Sequence, residues 1–213
     1  MTQRKVFEIG GYVAAAVLVA FGIAAIVMGV NGRNEVRADV KREFIVGSPD
    51  MNKTAILAEA KEAKLPASVI ADLPTCNVAD KAIVTGAQAK CFASYMRIHS
   101  FEATGGLTYS QMGRYLTDAG KATNDVKLAA TDPKTGQPVE NGLRNLWVTE
   151  TALTNALNTS FFAEQVAMFG IVVGIALMLS GFGFGILAFT AFRWLPAQEK
   201  KKALKTAAKP VVA

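Results

Sequence analysis

The sequence predicts an all-α integral membrane protein. Two transmembrane helices extend into an antiparallel helical extracytoplasmic domain with a small capping region. Three observations predict this. Gly10 to Val30 is a run of 21 residues without a charge, and Gln165 to Phe192 is another of 28. At 1.5 Å rise per residue, about 20 apolar residues cross a bilayer core. The segment between them carries helical spacing and no strand alternation that would specify a sheet. Hydrophobic residues make up 51% of the chain and its mean hydropathy is +0.27, which excludes a disordered chain poor in apolar residues.

The N-terminal run competes with a cleaved signal peptide. Its length exceeds the roughly 7–15 residues of a signal h-region, which favours a retained anchor. The second run competes with a buried core helix, but Arg193 and a lysine cluster follow it directly. Tyr12 and Trp194 suit the two interfaces. The predicted organisation is therefore an N-tail over 1–9, transmembrane helix 1 over 10–30, a helical domain over 31–164, transmembrane helix 2 over 165–192 and a basic C-tail over 193–213.

Within the central domain, residues 31–44 continue the first helix as a polar one. Glu35, Asp39 and Glu43 recur every four residues along one helical face, with Arg33 and Arg37 interleaved on a neighbouring one. Gly47-Ser48-Pro49-Asp50 breaks it. Residues 54–64 form a short amphipathic helix that stops before Pro66, and Asp72-Leu73-Pro74-Thr75 is a turn. The spacing of Ile83, Ala87, Cys91, Tyr95 and Ile98 predicts a helix over 79–100. A turn follows at Thr104-Gly105-Gly106, then a short helical piece over 110–116. The segment 118–141, rich in Gly, Pro and Asp, is expected to be a loop. From Leu143 the apolar period returns through Leu146, Trp147, Leu153, Leu157 and Phe161, predicting one long helix over 143–193.

The net charge of +6 is concentrated at the ends: Arg4, Lys5, Arg193, Lys200, Lys201, Lys202, Lys205 and Lys209. The central segment is nearly neutral. The basic tail is thus a topology signal and a contact for anionic membrane lipid, not a nucleic-acid face. It places both termini in the cytoplasm and the central domain outside. Arg33, Arg37, Lys41 and Arg42 oppose this, but long loops translocate largely regardless of charge.

Cys76 and Cys91 are the only cysteines, and both fall in the central domain. In an oxidising compartment they suggest a disulfide; two reduced buried thiols are the alternative. Gly170 and Gly174 form one Gly-x-x-x-Gly motif, and Gly181 and Gly185 another. Small residues four apart let helices approach closely. They serve either packing within the helical hairpin or a surface for another subunit, and the sequence leaves both open.

The chemistry is sparse. His99 and Glu102 stand three apart and pair best as a structural hydrogen bond. A metal site needs a third ligand, and a two-His-one-carboxylate iron triad is impossible with one histidine. No phosphate loop, nucleophile elbow or HExxH motif is present. Asn158-Thr159-Ser160 matches a glycosylation sequon of a kind common by chance. Neither run carries a charge at its centre to mark an ion path. No cofactor is expected, and the chain is not expected to be an enzyme.

The stretch from Ala89 to Tyr115, with Ile98-His-Ser-Phe-Glu-Ala-Thr-Gly-Gly-Leu-Thr-Tyr109 at its heart, resembles a group of actinobacterial two-pass membrane proteins. Gly32-Arg33-Asn34-Glu35-Val36 and Leu143-Arg144-Asn145-Leu146 fit the same pattern, so the resemblance covers most of the chain. Members are often labelled as small-subunit-like proteins of aromatic ring-opening dioxygenases. The resemblance implies an actinobacterial plasma membrane and a shared architecture. Its polar residues, His99, Glu102, Thr104, Thr108, Tyr109 and Arg114, form either a buried network around the Gly-Gly turn or a docking surface.

The expected function is that of a non-enzymatic accessory or structural subunit of a larger membrane complex, respiratory or envelope, or of a homo-oligomer. Alternatives are a redox component completed by a partner chain, and a ligand-sensing domain with a pocket near Tyr109 and Trp147.

Overall fold

The computed structural model describes residues 3–207, of which Lys209 and both extreme ends of the tails are not part. The chain is 68% helical. In order come α1 (Gln3–Arg42), α2 (Lys53–Glu62), α3 (Ala67–Ala71), α4 (Gly86–Ala103), β1 (Tyr115–Leu116), β2 (Ala122–Thr123), a 3₁₀ turn (Val126–Leu128), α5 (Gly142–Phe189), a π-helical turn (Thr190–Trp194) and α6 (Leu195–Ala207). The helices α1 and α5 are long and apolar enough to cross a membrane. Two compact units result. One holds residues 1–33 with 165–213; the other is Asn34–Glu164.

In the first unit, α1 and α5 run antiparallel. A Cβ on Gly22 would lie 2.7 Å from the Gly174 carbonyl oxygen, one on Gly29 2.6 Å from that of Ala167, and one on Gly11 2.9 Å from the Ala188 Cβ. Rising positions on α1 thus meet falling ones on α5. The two Gly-x-x-x-Gly motifs face this seam. A Cβ on Gly174 would stand 2.6 Å from the Gly22 oxygen, and one on Gly181 2.9 Å from that of Ala15. At Gly170 and Gly185 the nearest atoms are 3.7 and 3.6 Å away, on Ala25 and Ala15. The motif glycines therefore serve packing within the hairpin, by van der Waals contact between backbones. Gly174→Val should lower the detergent-phase melting temperature markedly, by overpacking worth about 1–3 kcal/mol. Gly170→Ala should leave it within error in the same melt. Glu8 and Arg193 close one end of the hairpin with a 2.9 Å ion pair.

Only 11% of the most apolar window of α1 and 17% of that of α5 is buried. A soluble core helix would hide most of such a surface; these helices turn it outward. The helix expected to run to Arg193 is interrupted at Thr190–Trp194, where the Leu195 N–H donates to the Thr190 carbonyl. Pro196 explains the widened turn. Its ring would clash with the carbonyl of Phe192, and it has no N–H to offer.

The unit Asn34–Glu164 has one core, including Ile56, Val78, Ile83, Tyr95, Ile98, Phe101 and Trp147. Phe101 and Trp147 meet edge to face at 5.0 Å. Helix α4 begins at Gly86, not at residue 79. Thr85 is its N-cap, accepting from the Gln88 N–H, while the Gln88 side chain reaches back to the Val84 N–H. This Thr-x-x-Gln signature was present in the sequence. Residues 79–83 instead pair with the chain after α1: Ile83 N–H donates to Ile45 O, and Gly47 N–H to Lys81 O. α4 ends in a Schellman motif, with Gly105 at φ +64° and the Gly106 N–H bonded to Phe101 O at 2.7 Å.

The sequence also misplaces two other pieces. Residues 110–116 are a turn and then β1, not a helix. The stretch 118–141 is not an unpaired loop: β2 forms a two-residue antiparallel hairpin with β1, Glu140 bridges to Tyr115 and Thr131 to Pro138. Strands this short carry no legible alternation. The buried Asn141 ties the stretch down, donating to Gly113 O and capping α5 by accepting from the Leu143 N–H.

Cys76 and Cys91 are bonded at 2.04 Å, fastening the loop before α4 to the helix. The fully buried Tyr95 adds a 2.6 Å hydrogen bond from its hydroxyl to Cys76 O. Reduction opens a loop of 15 residues and should lower stability by about 3 kcal/mol, read as a drop in melting temperature with reductant.

Candidate functional site

His99 lies on α4 three residues from Glu102, but the two do not pair. Two other carboxylates face the imidazole. The His99 Nε2 is 3.1 Å from Asp50 Oδ2 and 4.0 Å from Glu59 Oε2. Asp50 comes from the break after α1, where Ser48 Oγ donates to its Oδ1. Glu59 comes from the middle of α2. The N-cap of α2, Asn52, accepts from the Thr54 and Ala55 N–H groups and so sets the distance between Asp50 and the helix. Three separate elements thus bring one imidazole and two carboxylates together, with one donor atom of each within 4.8 Å of the others.

Two atoms at this site are out of contact with water and lack a hydrogen bond: His99 Nε2 and Glu102 Oε1. The 3.1 Å contact to Asp50 is close enough for attraction but is not aligned as a hydrogen bond. Burial pushes the Glu59 carboxyl above its ordinary value; Asp50 and Glu62 add to this and His99 opposes it. Burial likewise raises Glu102, against His99 and with Glu59 and Asp50. Among the described residues, no lysine or arginine acts on either carboxyl. A carboxyl raised in the folded state contributes stability that is present below its unfolded value, near 4.5, and lost as pH rises through the folded one. The doubly neutralised variant Glu59→Gln/Glu102→Gln should therefore gain in melting temperature over the parent as pH rises from 4.5 to 7 in chelator. A constant difference across that range contradicts the raised state of the two carboxyls.

His99 also lines a cavity of about 670 Å³ whose walls include Val40, Met51, Met96 and Leu157, with Asp39 and Glu43 among its polar groups. The remaining residues of the motif around the Gly-Gly turn do not join one network. Thr104 Oγ1 is buried and bonds Ser100 O and Leu107 O within its own turn. Thr108 is half-buried and pairs with Gln111. Tyr109 and Arg114 line a separate polar pocket of about 220 Å³ with Glu140 and Arg144, whose guanidinium lies 3.9 Å from the Tyr109 ring centre. Trp147 belongs to the core, not to that pocket.

Sequence reasoning therefore found His99 and Glu102 but missed Asp50 and Glu59. No spacing rule connects positions 50, 59 and 99; only the docking of α2 against α4 does. Glu164 gained a role that its sequence position did not indicate. Its carboxylate accepts from Arg37 Nε at 2.7 Å and from the Gly86 N–H at 2.7 Å, at the start of α4. An anion there is favoured by the helix dipole.

No family model matches this chain, and no curated protein or solved structure shows significant similarity to it.

Proposed function

We propose that the protein is a non-enzymatic two-pass plasma-membrane protein that acts as an accessory or structural subunit of a larger membrane complex, or as a homo-oligomer. Both termini are cytoplasmic and the unit Asn34–Glu164 is extracytoplasmic in this reading. The observation that carries it is the outer surface of the hairpin. The small residues are spent on the seam between α1 and α5. Large apolar side chains such as Phe21, Met28, Phe169, Phe182 and Leu187 remain exposed. Such a surface needs lipid or another membrane helix to cover it. The disulfide supports an oxidising location for the central unit.

Purification in mild detergent, read by native mass and by identification of co-purifying chains, tests this. Stoichiometric foreign subunits are the expected result, and a defined homo-oligomer sustains the second arm. A monomer under conditions that preserve other membrane complexes overturns both. A ligand-sensing role is the second reading, favoured by the 670 Å³ cavity beside His99. Its volume suits a small organic ligand.

A further inference from the structure

We propose that Asp50, Glu59 and His99 form a binding site for a divalent transition-metal ion of the zinc class, with Glu102 as an additional carboxylate beside it.

The donor set selects the ion. An imidazole nitrogen with carboxylate oxygens suits zinc and its neighbours, whereas calcium takes six to eight oxygens. The spacing fits as well. Ligand atoms at about 2.1 Å from a tetrahedral zinc lie about 3.4 Å from one another. The His99 Nε2 stands 3.1 and 4.0 Å from its two carboxylate oxygens, on either side of that value.

A second, independent observation is the state of the polar atoms. His99 Nε2 and Glu102 Oε1 are shut off from water without a hydrogen-bond partner. Buried polar groups are almost always satisfied, and each one left over costs about 1–3 kcal/mol. A cation at the centre would satisfy the imidazole lone pair and lie against the carboxylates of Asp50 and Glu59. The side chains of Asp50 and Glu59 are 30% and 37% exposed, which gives the ion a path to solvent. Bound there, it would tie the chain after α1, helix α2 and helix α4 into one unit.

The test uses the full chain in mild detergent, without a polyhistidine tag and with the disulfide intact. After chelator treatment and dialysis, zinc is titrated calorimetrically and counted by elemental analysis. One tightly held equivalent is expected, with a higher melting temperature. His99→Gln should weaken it by at least about 100-fold, since losing even an outer-shell partner costs 10–100-fold. Glu59→Gln should weaken it in the same direction. His99 is the chain's only histidine, so protection of that imidazole from diethyl pyrocarbonate by zinc reports directly on the site in the unaltered protein. Cobalt substitution gives a further variant-free readout through its visible absorption. No retained zinc, or zinc binding that neither protects His99 nor responds to Glu59→Gln, overturns the proposal. If His99→Gln fails to fold, the protection and cobalt measurements decide alone. None of these readouts depends on subunit composition, so this site and the accessory-subunit reading stand or fall separately.

Discussion

Gly47→Val is expected to prevent the unit Asn34–Glu164 from reaching its folded form. A Cβ at Gly47 would lie 1.9 Å from the Val78 carbonyl oxygen and 2.8 Å from its carbon. The obstacle is backbone, so no rotamer change relieves it. The two segments must separate, and two hydrogen bonds are at stake: Gly47 N–H to Lys81 O and Asp80 N–H to Gly47 O, each 3.0 Å. A loss above about 4 kcal/mol belongs to this kind of overlap combined with broken pairing. In a thermal melt in detergent the cooperative transition of this unit should vanish. Gly105→Ala is the matched control. Unlike Gly47 it holds a positive φ, at +64°, but its Cβ meets nothing within 4 Å, so the cost is about 1 kcal/mol. Equal losses in the two variants would refute the close-approach argument.

Glu164→Ala is expected to cost about 3 kcal/mol. The carboxylate is 6% exposed and joins Arg37 on α1 to the first N–H of α4. Removing it takes away the partner of the Gly86 N–H at a tightly packed place, where a Cβ on Gly86 would lie 2.7 Å from the Phe161 Cα. Lost hydrogen bonds to a charged group account for about 1.5–3 kcal/mol, and an unmatched buried donor adds to that. Arg37 is 38% exposed and can turn to solvent, so Arg37→Ala should cost less than Glu164→Ala. The order of the two melting temperatures checks the assignment; the reverse order contradicts it.

Several features lay within reach of the sequence because they depend on residues near one another along the chain. Both apolar helices follow from uninterrupted runs without charge, since a helix satisfies its own backbone and needs only length to cross lipid. The polar continuation of α1, the short α2 and the Gly-Gly end of α4 follow from local spacing and capping chemistry. The start of α4 was equally local, in Thr85 and Gln88, and was obscured by an apolar stripe whose first member, Ile83, is buried by strand-like pairing instead of by helix packing.

Tertiary structure decided what distance in sequence conceals. The orientation of the glycine motifs depended on which helix they met, and the seam with α1 answers it. Glu164 acquired its partners from residues 78 and 127 positions away. The cluster around His99 draws on a loop, a second helix and a third, and its neighbour three residues away on the same helix does not bond to it. Local propensity determines which segments are helical, because hydrogen bonds and side-chain periodicity act within a few residues. Which polar atoms end up facing one another is determined by how those helices pack, through contacts whose partners no short-range pattern encodes.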